Sequence, residues 1–163
     1  MPDFFGREVL DREKVLAGKW AELDMEGFQA RNARAIREPE ILAAARELRE
    51  KYAKLGAVGY CFGGWAVLRL GAEKLVDCVV CAHPSWVTKD DIDNYSTVPL
   101  QFLCPEVDSQ FSDDLKFHAF QKLVSRRIAP GDSDNDCFRS WVGKAKMGYR
   151  LSGFIFRVWR MGV

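Results

Sequence analysis

The sequence predicts an α/β fold, and three observations predict it. Short apolar runs stand at 57–60, 76–82 and 98–103, each closed by turn residues. Stretches of helical period precede or separate them, at 39–54, 65–72 and 112–123. The runs are continuous rather than alternating, as strands covered on both faces of a parallel sheet are.

Each element has a local reason. Residues 2–36 read as a loop-like opening, Pro2-Asp3-Phe4-Phe5-Gly6 followed by irregular charged segments. A helix is expected from about Pro39 to Lys54, because proline suits a first helical turn and Ile41, Ala45, Leu48, Tyr52 and Leu55 share one face. Gly56 is its expected C-cap. The strand Ala57–Tyr60 turns tightly at Cys61–Gly64 into a second helix, Trp65 to about Ala72. Val76–Ala82 is a second strand ending at His83-Pro84, and Val98–Leu103 a third. Ser112 is an N-cap, with Asp113 and Asp114 in the first turn, for a helix to about Leu123. Beyond that the alternation stops: 132–136 has loop composition, and 154–159 fits a strand or a frayed helix equally.

Composition limits the function. The 163 residues are 48% apolar and 29% charged with a formal net charge of +1, which fits one globular domain and excludes collagen-like, disordered and disulfide-scaffold chains. No apolar run is long enough to cross a bilayer, and no basic stretch leads into an apolar signal core, so no membrane partner is expected. Five cysteines at irregular spacing suit a reducing compartment, and the expected location is cytoplasmic. Near-neutral charge argues against nucleic acid. The charge is unevenly placed: 125–163 holds eight basic and three acidic residues and no Glu. That shift sets the expected boundary between a core, 1–124, and a divergent basic tail, 125–163. The tail's Trp141, Tyr149 and Trp159 would suit nucleic acid or anionic lipid, but its mild charge makes this a weak signal.

Gly59-Tyr60-Cys61-Phe62-Gly63-Gly64 is the informative segment. It has the glycine–x–nucleophile–x–glycine spacing of a nucleophile elbow, with Cys61 in the nucleophile's place, between a strand and a helix. Side chains two residues away on either side would clash across so sharp a turn, and Gly59 and Gly63 remove them. Cys61 then stands at a helix N-terminus, where the Phe62 N–H faces a developing oxyanion and the dipole favours a thiolate. The competing reading is a glycine-rich turn around a structural, buried cysteine.

At these residues the sequence resembles the dienelactone hydrolase family of α/β-hydrolases. Gly-Tyr-Cys-Phe-Gly-Gly is similar to its cysteine elbow, Pro2-Asp3-Phe4-Phe5 to a segment closing an earlier strand, and Ala82-His83-Pro84-Ser85 to the end of the strand after the elbow. Pro99 to Asp108 is similar to the strand and loop carrying the family's catalytic aspartate. The resemblance covers about residues 2–124. It implies a partial α/β-hydrolase fold, incomplete at both ends, and hydrolysis of small esters or lactones with Cys61 as nucleophile and Asp108 as the acid that orients a histidine. It implies no metal and no organic cofactor, and a small-molecule ester or lactone as the partner.

The family's triad takes its histidine from a loop after the last strand, whereas this chain's two histidines are His83 and His118. Asp108 therefore reads either as the inherited acid or as an acidic loop residue. His83, at the end of the strand beside Cys61, reads as a substitute base or as a pocket wall fixed by Pro84. Tyr60 and Trp86 are further pocket candidates, with packing as the alternative for Trp65 and Trp86. His118 falls off the apolar arc of its helix and reads as a surface residue. Cys78 and Cys81, three apart on a strand, point to opposite faces and suit neither a metal nor a disulfide. Two functions follow: a cysteine hydrolase of small esters or lactones, or a catalytically silent remnant acting by association. For the second, strands absent beside the Cys61 strand would leave a sheet edge open to self-association. A misassigned start and a shifted frame near Leu123 would account for both ends.

Overall fold

A computed structural model describes residues 4–95, 98–126 and 156–160 of the chain. The chain divides into two compact units, Met1–Ala44 and Ala45–Val163. The charge shift at 125 lies inside the second unit, and 127–155, most of the basic tail, lies outside the described residues.

The opening is more helical than its composition suggests. It contains α1 (Arg12–Leu16), a 3-10 turn at Trp20–Glu22 and α2 (Met25–Arg31). Caps account for both helices. The Asp11 carboxylate accepts from the Glu13 and Lys14 N–H groups, and Asp24 accepts from Gly27 N–H. Asn32, fully buried, closes α2 by donating to the Phe28 carbonyl at 2.9 Å and to Glu8 Oε2 at 3.1 Å. The Arg31 hydrogen bond, then that of Asn32, holds the half-buried Glu8 carboxyl below its ordinary range.

The next helix, α3, runs Arg34–Lys51, so it starts earlier and ends earlier than the sequence suggests, with Pro39 inside it. The start is set upstream: both Ile36 and Arg37 donate to the Ala33 carbonyl. Proline's fit to a first turn is a preference; here its missing N–H costs one bond in the second turn, to Ala35. Gly56 is not a C-cap. It lies within β1 (Leu55–Tyr60), where a Cβ would stand 3.1 Å from Cys78 Sγ on the neighbouring strand.

The second unit is built on the sheet. β1 is followed by α4 (Phe62–Ala72), β2 (Cys78–Ala82), α5 (Lys89–Asp93), β3 (Leu100–Leu103), α6 (Asp113–Arg126) and β4 (Phe156–Arg160). The sheet order is β3-β2-β1-β4: the first three strands are parallel, and β4 runs antiparallel to β1. The predicted α/β class stands, with a parallel sheet and flanking helices. α4 packs on β1 and β2 and is buried almost all round, Phe62 through Leu68 included, which is why apolar residues occupy every face of it. α5 was not foreseen; Thr88 and Asp91 form a reciprocal capping box that starts it. α6 begins where Ser112 predicts, the Ser112 hydroxyl accepting from Leu115 N–H at 3.4 Å.

The segment at 156–160 is a strand, and it lies on the flank of β1 that the sequence left open. Among the described residues β3 pairs only with β2, so its outer side is the free edge of the parallel part. At the N-terminal end of β1, Asp77 accepts from Leu55 N–H at 2.8 Å and from Arg49 at 2.6 Å. Among the described residues no helix is long and apolar enough to cross a membrane.

Candidate active site

Three parallel strands put their C-terminal ends on one side, the side where open α/β sheets bind ligands. Tyr60 pairs with Ala82, so the residues one step further, Cys61 and His83, face each other across the strand ends. The ladder continues past the strands: Cys61 N–H donates to the Ala82 carbonyl at 3.1 Å and His83 N–H to the Leu103 carbonyl at 2.8 Å.

Cys61 has φ 51° and ψ −117°, and α4 begins at the next residue. A non-glycine residue in this conformation is strained, and the surrounding turn must hold it there. Its carbonyl accepts from Gly64 N–H at 2.9 Å and from Ser85 N–H at 3.0 Å. The steric argument for the flanking glycine is met at Gly59, where a Cβ would lie 1.9 Å from the Gly63 carbonyl oxygen. Gly64 serves the neighbouring loop instead: a Cβ there would stand 2.7 Å from Pro84 Cβ and 3.1 Å from Cys81 Sγ.

That loop, after β2, supplies the contact the sequence did not reveal. The Cys61 sulfur lies 3.3 Å from the Ser85 hydroxyl, and Ser85 is only 5% exposed. His83 and Trp86, on either side, both have positive φ, 35° and 62°. Three non-glycine residues of positive φ thus lie in the elbow and the loop that reaches it. The signal available in the sequence was the segment Ala82-His83-Pro84-Ser85 itself; nothing in it fixes which side chain returns to the elbow.

The aromatic candidates divide. The Tyr60 and His83 rings pack at 5.8 Å, tilted by 50°, at the mouth of the strand ends. The side-chain contact of the Cys61 sulfur is with Ser85, while the His83 ring packs on Tyr60. Trp86 meets Phe62 edge-on at 5.1 Å, and Trp65, fully buried, packs on Phe62 at 5.2 Å. Trp65 is core. Trp86 is half-buried beside the elbow.

Asp108 sits on the loop after β3. Its Oδ1 accepts from the Gln110 N–H at 2.9 Å and the Phe111 N–H at 3.1 Å, so the carboxylate closes its own turn. No histidine accompanies it among the described residues. His118 is not a bare surface residue: its Nε2 lies 2.9 Å from Asp93 Oδ1, joining α6 to α5, and Lys122 lies 2.8 Å from the same oxygen. The Lys122 hydrogen bond is the main influence holding the Asp93 carboxyl below its ordinary range, with His118 adding to it.

Three further cysteines lie among the described residues. Cys78 and Cys81 are free; Cys81 is buried, donates to the Gly64 carbonyl at 3.3 Å, and burial pushes its thiol well up. Cys104 is free and exposed. Among the described residues no cluster of three or more His, Cys, Asp or Glu side chains is arranged to hold a metal.

A parallel sheet whose first strand turns sharply into a buried helix is the architecture of an α/β-hydrolase. The chain belongs to the dienelactone hydrolase family, whose profile matches residues 1–129. It is similar to hydrolase tropI of Talaromyces stipitatus, 31% identical over 97 residues, which cover 56% of this chain and 38% of that protein. It is also similar to hydrolase pyvD of Aspergillus violaceofuscus, 28% identical over 95 residues, 57% of this chain and 38% of that one. The chain thus spans under two fifths of the length of these curated relatives. No solved structure matches it.

Proposed function

We propose that the chain is a cysteine-dependent hydrolase of small carboxylic esters or lactones. One observation carries the reading: Cys61 is held at φ 51° and ψ −117° on the turn from β1 into α4, at the C-terminal edge of the sheet. Strain of this kind persists only where surrounding structure enforces it, and it is concentrated at reacting groups. In the proposed reaction the Cys61 thiolate adds to the ester carbonyl carbon, and the Phe62 N–H stabilises the oxyanion. The bond to the leaving oxygen breaks, and the alkoxide takes a proton from solvent. Water then adds to the thioester, releasing the acid and restoring the thiolate. Tyr60 and His83 form the aromatic wall beside the sulfur, and Trp86 its outer rim. Asp108 is the inherited acid position. With Oδ1 engaged by its own loop and neither histidine beside it, the carboxylate orients no ring among the described residues.

The test is steady-state hydrolysis of p-nitrophenyl acetate by the purified chain beside Cys61→Ala. Turnover that disappears in the variant supports the reading. A single stoichiometric burst identifies acylation that stalls before water attacks. Equal rates in the two proteins overturn it.

The second reading is association without catalysis, favoured by the outer edge of β3, which carries no strand among the described residues. A single sedimenting species at monomer mass across a wide concentration range removes it.

A further inference from the structure

We propose that Ser85 is a positioning residue for Cys61: its hydroxyl donates to the sulfur as charge develops there and fixes the direction in which the sulfur points. This rests on the reading of Cys61 as nucleophile, and it adds a residue that neither the elbow pattern nor the triad position includes.

Ser85 is tied to Cys61 at two points. Its backbone N–H donates to the Cys61 carbonyl at 3.0 Å, and its hydroxyl lies 3.3 Å from Sγ. Two bonds from one buried residue to one strained residue fix both the backbone and the side chain of Cys61. With a neutral thiol either group can donate; once the sulfur is a thiolate, only the hydroxyl can. The contact therefore strengthens on ionisation, since a hydrogen bond to a charged acceptor is roughly twice as strong as a neutral one.

The loop is built to bring Ser85 there. Positive φ at His83 and Trp86 doubles the chain back toward the elbow, and Pro84 fills the space that Gly64 leaves by having no side chain. Gly64 belongs to α4 and Pro84 to the loop, so the elbow helix and the Ser85 loop are cut to fit one another. Among the described residues, Tyr60 precedes Cys61 on β1 and His83 lies opposite it after β2. Their rings pack on each other, and the first turn of α4 carries no acidic residue.

The experiment is the rate of iodoacetamide alkylation at Cys61, resolved by peptide mass spectrometry, for the full chain, Ser85→Ala and Ser85→Thr between pH 6 and 10. Exposed Cys104 serves as the internal reference. The expected result is a loss of about tenfold at pH 7 in Ser85→Ala at Cys61 alone, converging with the parent rate at high pH where the thiolate is complete in both. Ser85→Thr, which keeps the hydroxyl, restores most of the rate. A Cys61 profile unchanged in Ser85→Ala overturns the proposal. So does a loss that persists at pH 10, which marks damaged packing. Alkylation needs no ester turnover, so a Ser85 effect on the sulfur and a failure of the hydrolase reading are separately visible.

Discussion

The elbow at Cys61 and the loop at Asp108 hold the two residues proposed for the site, yet the two are held in opposite ways. At the elbow, backbone strain, a glycine with no room for a Cβ, and two hydrogen bonds with Ser85 all act on Cys61. At the loop, the Asp108 carboxylate acts on its own neighbours, Gln110 and Phe111. A nucleophile presented by backbone geometry needs only the residues of its own turn and the adjoining loop. An orienting carboxylate needs a distant ring, and without one it satisfies the nearest N–H groups. The first site is self-contained and the second is conditional.

That contrast can be broken most forcefully at Gly59. A methyl there meets the Gly63 carbonyl at 1.9 Å, so Gly59→Ala should lose about 3 kcal/mol or more in urea unfolding. A loss below about 1 kcal/mol would show that the elbow is less constrained than its geometry implies. Gly64→Ala, pressed against Pro84, should cost about 2 kcal/mol and slow Cys61 alkylation by displacing the Ser85 loop. Asp108→Ala should cost about 1 kcal/mol through its two backbone donors, while Asp108→Asn, which keeps an acceptor oxygen, should cost less. Ester turnover in Asp108→Asn should stay within about threefold of the parent. A loss as complete as that of Cys61→Ala would instead make the loop a working part of the site.

A comparably small effect is expected at the opposite end of β1. Burial acts to raise the Asp77 carboxyl, but the hydrogen bonds from Arg49 and Leu55 N–H and the Arg49 charge outweigh it and leave it below its ordinary range. A depressed folded value means stability that is complete above the unfolded value of about 3.9 and lost as pH falls through the folded one. Asp77→Asn should therefore cost about 1 kcal/mol at pH 7, a figure kept low by the partial exposure of Arg49. The difference from the parent should vanish in acid, as followed by thermal unfolding from pH 7 to 2. A difference constant with pH would assign the loss to packing.

The elbow was legible because its message is steric and local: Gly59, Cys61 and Gly63 specify a turn whatever surrounds them. The parallel strands were legible for a similar reason, as uninterrupted apolar runs. The short helices leave only their caps, Asp11, Asp24 and Thr88, as a signal in the sequence. A five- to seven-residue helix has too few turns to show a period, and capping bonds carry much of its stability. Pro39 misled because its preference for a first turn is weaker than the Ala33 carbonyl that starts α3. Ser85 and the His118–Asp93 pair are joined to their partners across 24 and 25 residues. Contacts of that range depend on the finished sheet and leave no periodic trace.

The strand that borders β1 on its far side pairs Leu55 with Arg160 and Gly59 with Phe156. Its partner residues are thus about a hundred positions downstream, and a ribosome adding 5–20 residues per second takes roughly 5–20 s to reach them. During that interval β1 can have its parallel neighbours in place while one ladder of amide and carbonyl groups still awaits its own chain. A nascent polypeptide in this condition presents a pairing template to whatever strand arrives first. The order of synthesis makes completion of the Cys61 strand a late event.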